Sequence, residues 1–452
     1  MSNDLRLCET EKQNILEELN RINNSLFSAK EIIGDNFPDD EYWALEDEKL
    51  QKTSPWNFSD LHEIRAKIFI EALNLHKIFI LYNREKIANT LRAARQVIAE
   101  GKLLYDKMHL IPHIWETFHL TVPVVSTTFA SFSKLFKGMG NNTIGWLLID
   151  EAGQAMPQIT AGALFRAKRA MIVGDPLQIE PAVTIPEVMS LVLRKYFKVS
   201  NSWDPYNQSV QTLADRANPI GTVLQSGGKE NSHWVGAPLR VHRRCNDPMF
   251  TLSNSIVYDN LMIYASNNKP LQVDLKLSDS LWAHVTLNGE SKNNWSKPEG
   301  EVAFDFLKHI NKLNDKVINL RSTFVISPFK NMKQGFRKLL NEDLAYKKLF
   351  NNKVEFNRWM KTNVGTAHTF QGKEAEIVIF ILGGSSKRAL QWASKNPNLL
   401  NVALTRAKRA IYIIGDFHIW SKMNYFNQLA GSLPIKPYNE KLLPYKKGGQ
   451  SS

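Results

Sequence analysis

The sequence predicts an α/β protein in which a helical arm precedes two lobes built on parallel sheets. Apolar residues recur at helical spacing in the first hundred residues, and from about residue 120 short apolar runs alternate with helical segments. Strands that alternate with helices and end in polar loops are typical of open α/β sheets, whose chemistry lies at the carboxyl ends of the strands. The runs interpreted as buried strands are Val122–Val125, Trp146–Ile149, Ala170–Val173, Phe324–Ile326, Ile377–Ile381 and Ala410–Ile414.

The arm is predicted from two amphipathic stretches separated by an acidic break over residues 34–48. A helix is predicted over residues 10–33 because its apolar residues, Ile15, Leu19, Ile22 and Leu26, lie on one helical face. A second helix is predicted over residues 59–101 from the same spacing of Leu61, Ile64, Ile68 and Leu73. Packing of helices on each other explains this periodicity without any further function, so we expect a helical hairpin.

These patterns divide the chain into four segments. The helical arm covers residues 1–105, and the remainder of the first lobe covers residues 106–235. The second lobe covers residues 236–435, and a polar segment rich in Lys and Gly, residues 436–452, is predicted to be a flexible tail.

Composition indicates a folded protein without a membrane partner. Of the 452 residues 43% are hydrophobic and 22% are charged, which excludes a disordered or collagen-like chain. No apolar run reaches the length of a membrane-spanning helix, and the first residues are too charged for a signal peptide, so we expect a soluble cytoplasmic protein. Cys8 and Cys245 are too far apart in sequence to suggest a disulfide framework or a zinc site.

Charge is distributed unevenly along the chain. The net charge is +13, but residues 1–60 carry six basic and fourteen acidic side chains, which leaves +21 for residues 61–452. A surplus of this size favours an anionic partner, and nucleic acid more than a membrane surface. Lys and Arg side chains that are simply solvated explain such a surplus about as often as an anionic partner does.

Two carboxylates directly follow one of the predicted strands. Asp150 and Glu151 come at the carboxyl end of Trp146–Ile149, where nucleotide sites lie in α/β proteins. One carboxylate there can hold Mg²⁺ while its neighbour orients and deprotonates an attacking water, as phosphoryl transfer requires. Taken alone, an acidic pair after a strand is more often a helix N-cap.

A second polar loop follows the strand Ala170–Val173. The loop contains Gly174, Asp175 and Gln178. A Gln side chain can both donate to a γ-phosphate and hold the attacking water. Taken alone the loop is a turn. Beside the acidic pair it becomes a candidate nucleotide sensor.

Four segments together resemble the motifs of a superfamily 1 helicase. LLIDEAGQA, IVGDPLQIEP, HTFQGKEAEIVIF and NVALTRAKRAIYIIGD resemble motifs II, III, V and VI, in the order and at about the spacing of that family. VVSTTFASF, before motif II, resembles motif Ic of the branch that includes the nonsense-mediated-decay RNA helicase and its bacterial relatives. The resemblance covers about residues 120–420. It implies two RecA-like lobes, ATP and Mg²⁺ as cofactors, and single-stranded DNA or RNA as partner.

The resemblance also implies roles for residues at the nucleotide. Asp150 would coordinate Mg²⁺, Glu151 would be the catalytic base, and Gln178 would couple the γ-phosphate to motion. Arg406 in motif VI would be an arginine finger, because a planar guanidinium suits the charge of the phosphoryl transition state. A second finger would be Arg243 in VHRRCNDP, although the loose local match leaves open whether Arg243 or Arg244 points inward.

Further roles follow for the ribose and for the nucleic acid strand. Glu374 would bind the ribose hydroxyl, and Gly372 would allow close approach of the backbone. The side chains implied to line the strand groove, by contacts to phosphate and sugar, are Thr127, Thr128, Thr366 and His368. His368 could equally be a structural histidine.

One motif of the family is missing from the sequence. GxxxxGK[ST], the Walker A loop that holds the β- and γ-phosphates, does not occur in the 452 residues. We therefore expect an N-terminally incomplete helicase whose first sheet lacks its central strand and exposes an edge. Such a chain would be inactive alone, and a separate polypeptide could supply the missing half. The alternative is a catalytically silent remnant that binds nucleic acid.

Overall fold

The computed structural model describes residues 2–101, 105–225, 232–269, 280–286, 293–313, 315–342, 345–350, 352–370, 372–384 and 386–437. These residues form two compact units, residues 1–126 and residues 127–452. The first unit is helical, and the second contains all the strands of the described residues.

The first unit contains the two predicted amphipathic stretches as helices. The second stretch is divided at Asn83 into two helices, of which the later one, α5, packs on α6. The helices of the unit are α1 (Ser2–Ile33), α2 (Asp40–Trp43), α3 (Asp47–Lys52), α4 (Ser59–Tyr82), α5 (Arg84–Ile98) and α6 (Ile111–Thr121).

The apolar faces of α1 and α4 remain exposed. Ile15 on α1 and Ile68 on α4 are 62% and 64% exposed, and α4 has no buried residue. The helices are therefore confirmed, but the predicted packing of the hairpin on itself is wrong: burial in this unit lies instead on α5 and α6, where Ile111 and Trp115 have almost no exposed surface.

In the second unit, helices alternate with short strands. The helices are α7 (Phe129–Leu135), α8 (Pro157–Arg166), α9 (Glu187–Tyr196), α10 (Val210–Ala217), α11 (Met249–Val257), α12 (Lys297–Lys312), α13 (Lys330–Glu342), α14 (Ala345–Leu349), α15 (Lys353–Asn363), α16 (Ala367–Phe370), α17 (Lys387–Ala393), α18 (Asn398–Thr405), α19 (Phe417–Trp420) and α20 (Phe426–Ser432). The strands are β1 (Leu147–Ile149), β2 (Ala170–Ile172), β3 (Gly221–Gln225), β4 (Ser232–Gly236), β5 (Val241–His242), β6 (Ile263–Tyr264), β7 (Leu281–His284), β8 (Thr323–Ser327), β9 (Val364–Thr366), β10 (Ala375–Ile381), β11 (Ala407–Gly415) and β12 (Ile435–Pro437).

The second lobe is built on a six-stranded parallel sheet with the order β12-β7-β11-β10-β8-β9. The apolar runs Ile377–Ile381 of β10 and Ala410–Ile414 of β11 have almost no exposed surface, as expected of a parallel sheet covered on both faces. Helices α12 and α18 both contact these two strands. The three strands that the sequence predicts here, β8, β10 and β11, are confirmed.

The first lobe has a smaller sheet, in which β1 and β2 pair in parallel. One face is packed, because Ile149 belongs to a cluster with Val210 of α10. The other face is open, since Leu148 is 68% and Met171 50% exposed. Among the described residues this parallel sheet has two strands, and the predicted incompleteness of the first lobe stays a prediction.

One predicted strand is absent. Val122–Val125 follows α6 without joining a sheet, and Val124 is 78% exposed. Pro123 explains the error, because proline has no N–H to donate to a strand ladder.

No helix among the described residues is long and apolar enough to span a bilayer. Of the predicted tail, residues 438–452 lie outside the described part of the chain.

Candidate nucleotide and strand site

The acidic pair lies where β1 ends and a tight turn begins. Glu151 has a left-handed backbone with φ +54°, an uncommon conformation for a residue with a side chain that is often found at functional sites. Its N–H donates to Asp150 Oδ1 at 2.9 Å, and its Oε2 accepts from Gln154 Nε2 at 3.1 Å. Glu151 precedes the short 3₁₀ helix Ala152–Gln154 but makes no side-chain cap bond to it. The N-cap interpretation of the pair is therefore not supported.

Gln178 lies in the loop after β2, and Asp175 holds it there. Asp175 Oδ1 accepts from the N–H of Leu177 at 2.9 Å, and Oδ2 accepts from Gln178 Nε2 at 3.0 Å. Leu177 and Ile179 belong to the same apolar cluster as the strands of the second lobe. The loop therefore belongs to the first lobe by sequence and packs into the second.

Arg406, at the end of α18, reaches this loop from the second lobe. The residue is 1% exposed, and its Nη1 donates to the carbonyl of Lys373 at 3.0 Å. Nη2 lies 3.5 Å from Gln178 Oε1, and buried Nε has no hydrogen-bond partner within the described residues. Burial and the positive charge of Arg244 lower the pKa of Arg406, but an arginine remains charged. The site thus contains a buried cation beside a polar side chain of the other lobe.

Gly372 brings the backbone of the second lobe against Glu151. Its φ is +73°, and a Cβ at this position would lie 3.1 Å from Glu151 Oε1. The left-handed conformation favours glycine here, and a Cβ would require the Glu151 carboxylate to shift slightly. The backbone of Gly372 thus lies close to the carboxylate of Glu151, and its implied role near the ribose stays a prediction.

Glu374 is engaged by two cations. Its Oε2 lies 3.1 Å from Arg244 Nε, and its Oε1 pairs with Lys408 Nζ. Burial alone would raise the pKa of Glu374, but the bonds and charges of Lys408 and Arg244 outweigh it and hold the pKa below its usual value. Its implied role at a ribose hydroxyl stays a prediction.

The two adjacent arginines have different surroundings. The side chain of Arg243 is exposed, whereas Arg244 is partly buried, pairs with Glu374 and acts on the pKa of Arg406. Arg244 therefore contacts Glu374, and which of the two arginines acts as a finger stays a prediction. Sequence could not separate the two, because both match the pattern equally.

The residues predicted to contact the nucleic acid strand are divided between the first and the second lobe. Thr127 and Thr128 precede α7 in the first lobe, and Thr128 Oγ1 lies 3.5 Å from Ser131 Oγ. Thr366 ends β9 of the second lobe, with its hydroxyl 3.3 Å from that of Thr369. His368 follows in α16, where partial burial and the positive charge of Lys330 lower its pKa.

Several polar residues of the site were missed by sequence reasoning. Asn398 and Asn401 lie three residues apart on α18 and donate to the carbonyls of Gln178 and Leu177 at 2.7 and 3.2 Å. Tyr258, directly after α11, donates its hydroxyl to Asp175 Oδ2. Asn401 opens the motif VI segment and could have been noticed there, but nothing near Tyr258 in sequence indicates its partner.

The residues present fit the phosphates and the Mg²⁺ ion of a bound nucleotide. The described residues contain no cluster of three or more metal-ligating side chains. Mg²⁺ at phosphates is usually held by only one or two carboxylates together with the phosphates and water. Asp150 could provide such a carboxylate. The partnerless Nε of buried Arg406 suits a bound anion. The Walker A loop has no counterpart in the sequence.

The chain has two lobes built on parallel sheets, and a polar loop of the first lobe contacts an arginine of the second. This arrangement is that of a RecA-like helicase fold. The family models AAA_11 and AAA_12, each described as an AAA domain, match residues 41–185 and 225–418. The chain belongs to the superfamily 1 helicases, in the branch that contains SEN1 and senataxin.

Curated relatives support this assignment. An uncharacterized ATP-dependent helicase of Mycoplasma genitalium, MG140, is 25% identical over 76% of this chain. Helicase SEN1 of Saccharomyces cerevisiae is 23% identical over 90% of it, and the probable helicase senataxin of Homo sapiens is 24% identical over 65%. The matches span only 29%, 16% and 10% of the lengths of these relatives.

Proposed function

We propose that this chain carries the hydrolytic and strand-binding residues of an ATP-dependent nucleic-acid helicase. One observation carries the proposal: Gln178 of the first lobe contacts Arg406 of the second at 3.5 Å, next to the loop that bears Glu151. A nucleotide site divided between two lobes lets a change at the phosphates alter the contact between the lobes.

In this proposal each residue has a separate task. Glu151 takes the proton of the attacking water. Its carboxylate lies beside the backbone of Gly372. Asp150 would hold Mg²⁺, which supplies charge neutralisation at the phosphates. Arg406 stabilises the charge that develops in transfer, with Gln178 beside it.

The nucleic acid partner is proposed on charge and on the family. Residues 61–452 carry a surplus of +21, and Thr127, Thr128, Thr366 and His368 would contact the backbone of a single strand. Contacts of this kind do not distinguish DNA from RNA or read the base sequence.

The 452 residues alone are proposed to hydrolyse ATP poorly, because they contain no GxxxxGK[ST]. A Walker A loop provides several charge-assisted hydrogen bonds, each worth roughly 1.5–3 kcal/mol, so losing them weakens nucleotide binding by orders of magnitude. A separate polypeptide that carries this loop is the proposed partner.

The test is to measure ATPase activity of the purified chain with and without single-stranded DNA and RNA. Glu151→Gln should abolish any turnover and leave binding of a fluorescent ATP analogue intact, because the amide cannot accept the proton. Glu301→Gln, at an exposed carboxylate paired with Lys297 at 3.6 Å, is the matched control. Turnover that survives in Glu151→Gln would reject Glu151 as the base.

Strand binding is tested separately by titration at several salt concentrations. Each neutralised phosphate should contribute about −0.7 to the slope of log affinity against log salt concentration. Binding that does not respond to salt would contradict the strand groove.

The alternative function is a catalytically silent remnant that binds nucleic acid, which the missing Walker A motif favours. Binding of the ATP analogue separates the two proposals. Binding that Gln178→Ala weakens supports a working nucleotide site. Salt-sensitive strand binding, together with nucleotide binding that Gln178→Ala leaves unchanged, supports the remnant.

A further inference from the structure

We propose that Tyr258 is a positioning residue that holds Gln178 in place through Asp175. The proposal rests on the proposed function only in giving Gln178 a task at the nucleotide. Tyr258 comes directly after α11 in the second lobe, and its ring packs against the apolar core of that lobe. Its hydroxyl is therefore fixed by the second lobe while its acceptor belongs to the first.

The hydrogen bonds form a continuous path from Tyr258 to Gln178. The Tyr258 hydroxyl donates to Asp175 Oδ2, which also accepts from Gln178 Nε2 at 3.0 Å. Gln178 Oε1 then faces Arg406 Nη2 at 3.5 Å. Asp175 joins the phenol to the amide in this path, so the position of its carboxylate helps to set the position of the Gln178 side chain.

Asn401 fixes the other side of the phenol. Its Nδ2 donates to the Tyr258 oxygen at 2.9 Å and to the Leu177 carbonyl at 3.2 Å. Its Oδ1 accepts from Ser253 Oγ at 2.6 Å, so the amide orientation is set from α11. The Tyr258 oxygen thus accepts from Asn401, and its one proton is directed to Asp175.

The hydroxyl keeps this proton. Burial of the phenol, followed by the negative charge of Asp175, raises the pKa of Tyr258 well above its usual value. A tyrosinate would leave two anions facing each other and would break the path. The arrangement therefore makes the loop after β2 depend on the second lobe.

The test is hydrogen exchange of peptides covering residues 174–180, measured without nucleotide or nucleic acid. Tyr258→Phe retains the ring and removes the hydroxyl, so exchange of the Leu177 amide, which donates to Asp175, should become about tenfold faster. Exchange in β10 should not change. The control is Tyr264→Phe, because Tyr264 packs on Phe250 and its hydroxyl has no hydrogen bond within the described residues.

A second variant tests whether the path is shared. Asn401→Ala should accelerate exchange over residues 174–180 as well, and the double variant should exceed the larger single effect by little, because both side chains act on one loop. Independent, multiplying effects would overturn the shared path. Loss of folding in Tyr258→Phe would also overturn the positioning role, because it would show that the hydroxyl serves the stability of the whole lobe.

Two further results would overturn the positioning role. One is unchanged exchange over residues 174–180 in Tyr258→Phe. The other is equal acceleration in β10, which would mean that the hydroxyl serves only general stability. Neither depends on ATP, so an inactive chain leaves the inference testable, and failure of nucleotide binding would remove only the task assigned to Gln178.

Discussion

Replacing Glu299 by Gln should remove the contribution of this carboxyl group to the dependence of stability on pH between pH 4.5 and about 8. Glu299 lies in the first turn of α12 with no exposed surface. Its Oε2 accepts from the N–H of Gly383 at 2.7 Å, and its Oε1 has no hydrogen-bond partner within the described residues. Burial, with a smaller contribution from the charge of Asp416, raises the pKa of Glu299 from 4.5 to about 8.

The sign and size of the effect follow from this pKa. Between pH 4.5 and about 8 the folded protein keeps the Glu299 proton while the unfolded chain releases it. The free energy of unfolding therefore falls as pH rises, by about 1.4 kcal/mol per unit and ~5 kcal/mol over the window. The stabilisation is fully present below pH 4.5 and is lost by about pH 8. Gln has no proton to lose, and its amide oxygen can still accept from Gly383.

The assay is urea unfolding of both proteins across this range, followed by tryptophan fluorescence. The unfolding free energy of Glu299→Gln relative to the unchanged protein should increase by several kcal/mol from about pH 5 to about pH 9. Glu301→Gln, two residues along the same helix and exposed, should track the unchanged protein. Parallel pH profiles for the unchanged protein and Glu299→Gln would refute a buried neutral carboxyl.

Two further predictions concern packing, and urea unfolding measures both. Gly335→Ala should destabilise by about 1–3 kcal/mol, because a Cβ there would lie 2.2 Å from the rigid ring of Trp295, whereas Gly431→Ala, with nothing within 4 Å, should stabilise by about 0.5–1 kcal/mol. Equal effects would contradict the contact. In β1, Ile149→Thr should cost about 2 kcal/mol and Leu148→Thr less than about 0.5 kcal/mol, since the side chains are 4% and 68% exposed. A larger cost at Leu148 would mean that something covers the open face of the first sheet.

Strands of the second lobe were predictable where a run was long and wholly apolar. The runs Ile377–Ile381 of β10 and Ala410–Ile414 of β11 are buried throughout, and such runs have few alternatives to a central parallel strand. The edge strands β9 and β12 were missed, because three-residue segments that contain glycine or proline carry no periodicity. Val122–Val125 was predicted on composition alone, and Pro123 made it a poor strand.

In the candidate site, too, the local sequence predicted some positions, whereas contacts between distant residues depended on the tertiary structure. Asp150, Glu151 and Gln178 follow strands directly, so their positions at the carboxyl end of the first sheet were determined by the local sequence. The approach of Arg406 to Gln178 joins residues 228 positions apart, and the resemblance to helicase motifs suggested it. Whether the nucleotide and the strand bind as implied stays a prediction.

By itself the sequence determined the class of fold, the loops that bear the carboxylates and the charge that favours nucleic acid, because these depend on residue type and short-range order. Only the tertiary structure decided that Arg244 rather than Arg243 faces Glu374. It alone joined Tyr258 to Asp175, 83 positions away. A hydrogen bond between distant residues depends on how the lobes pack, and no spacing along the chain encodes that geometry.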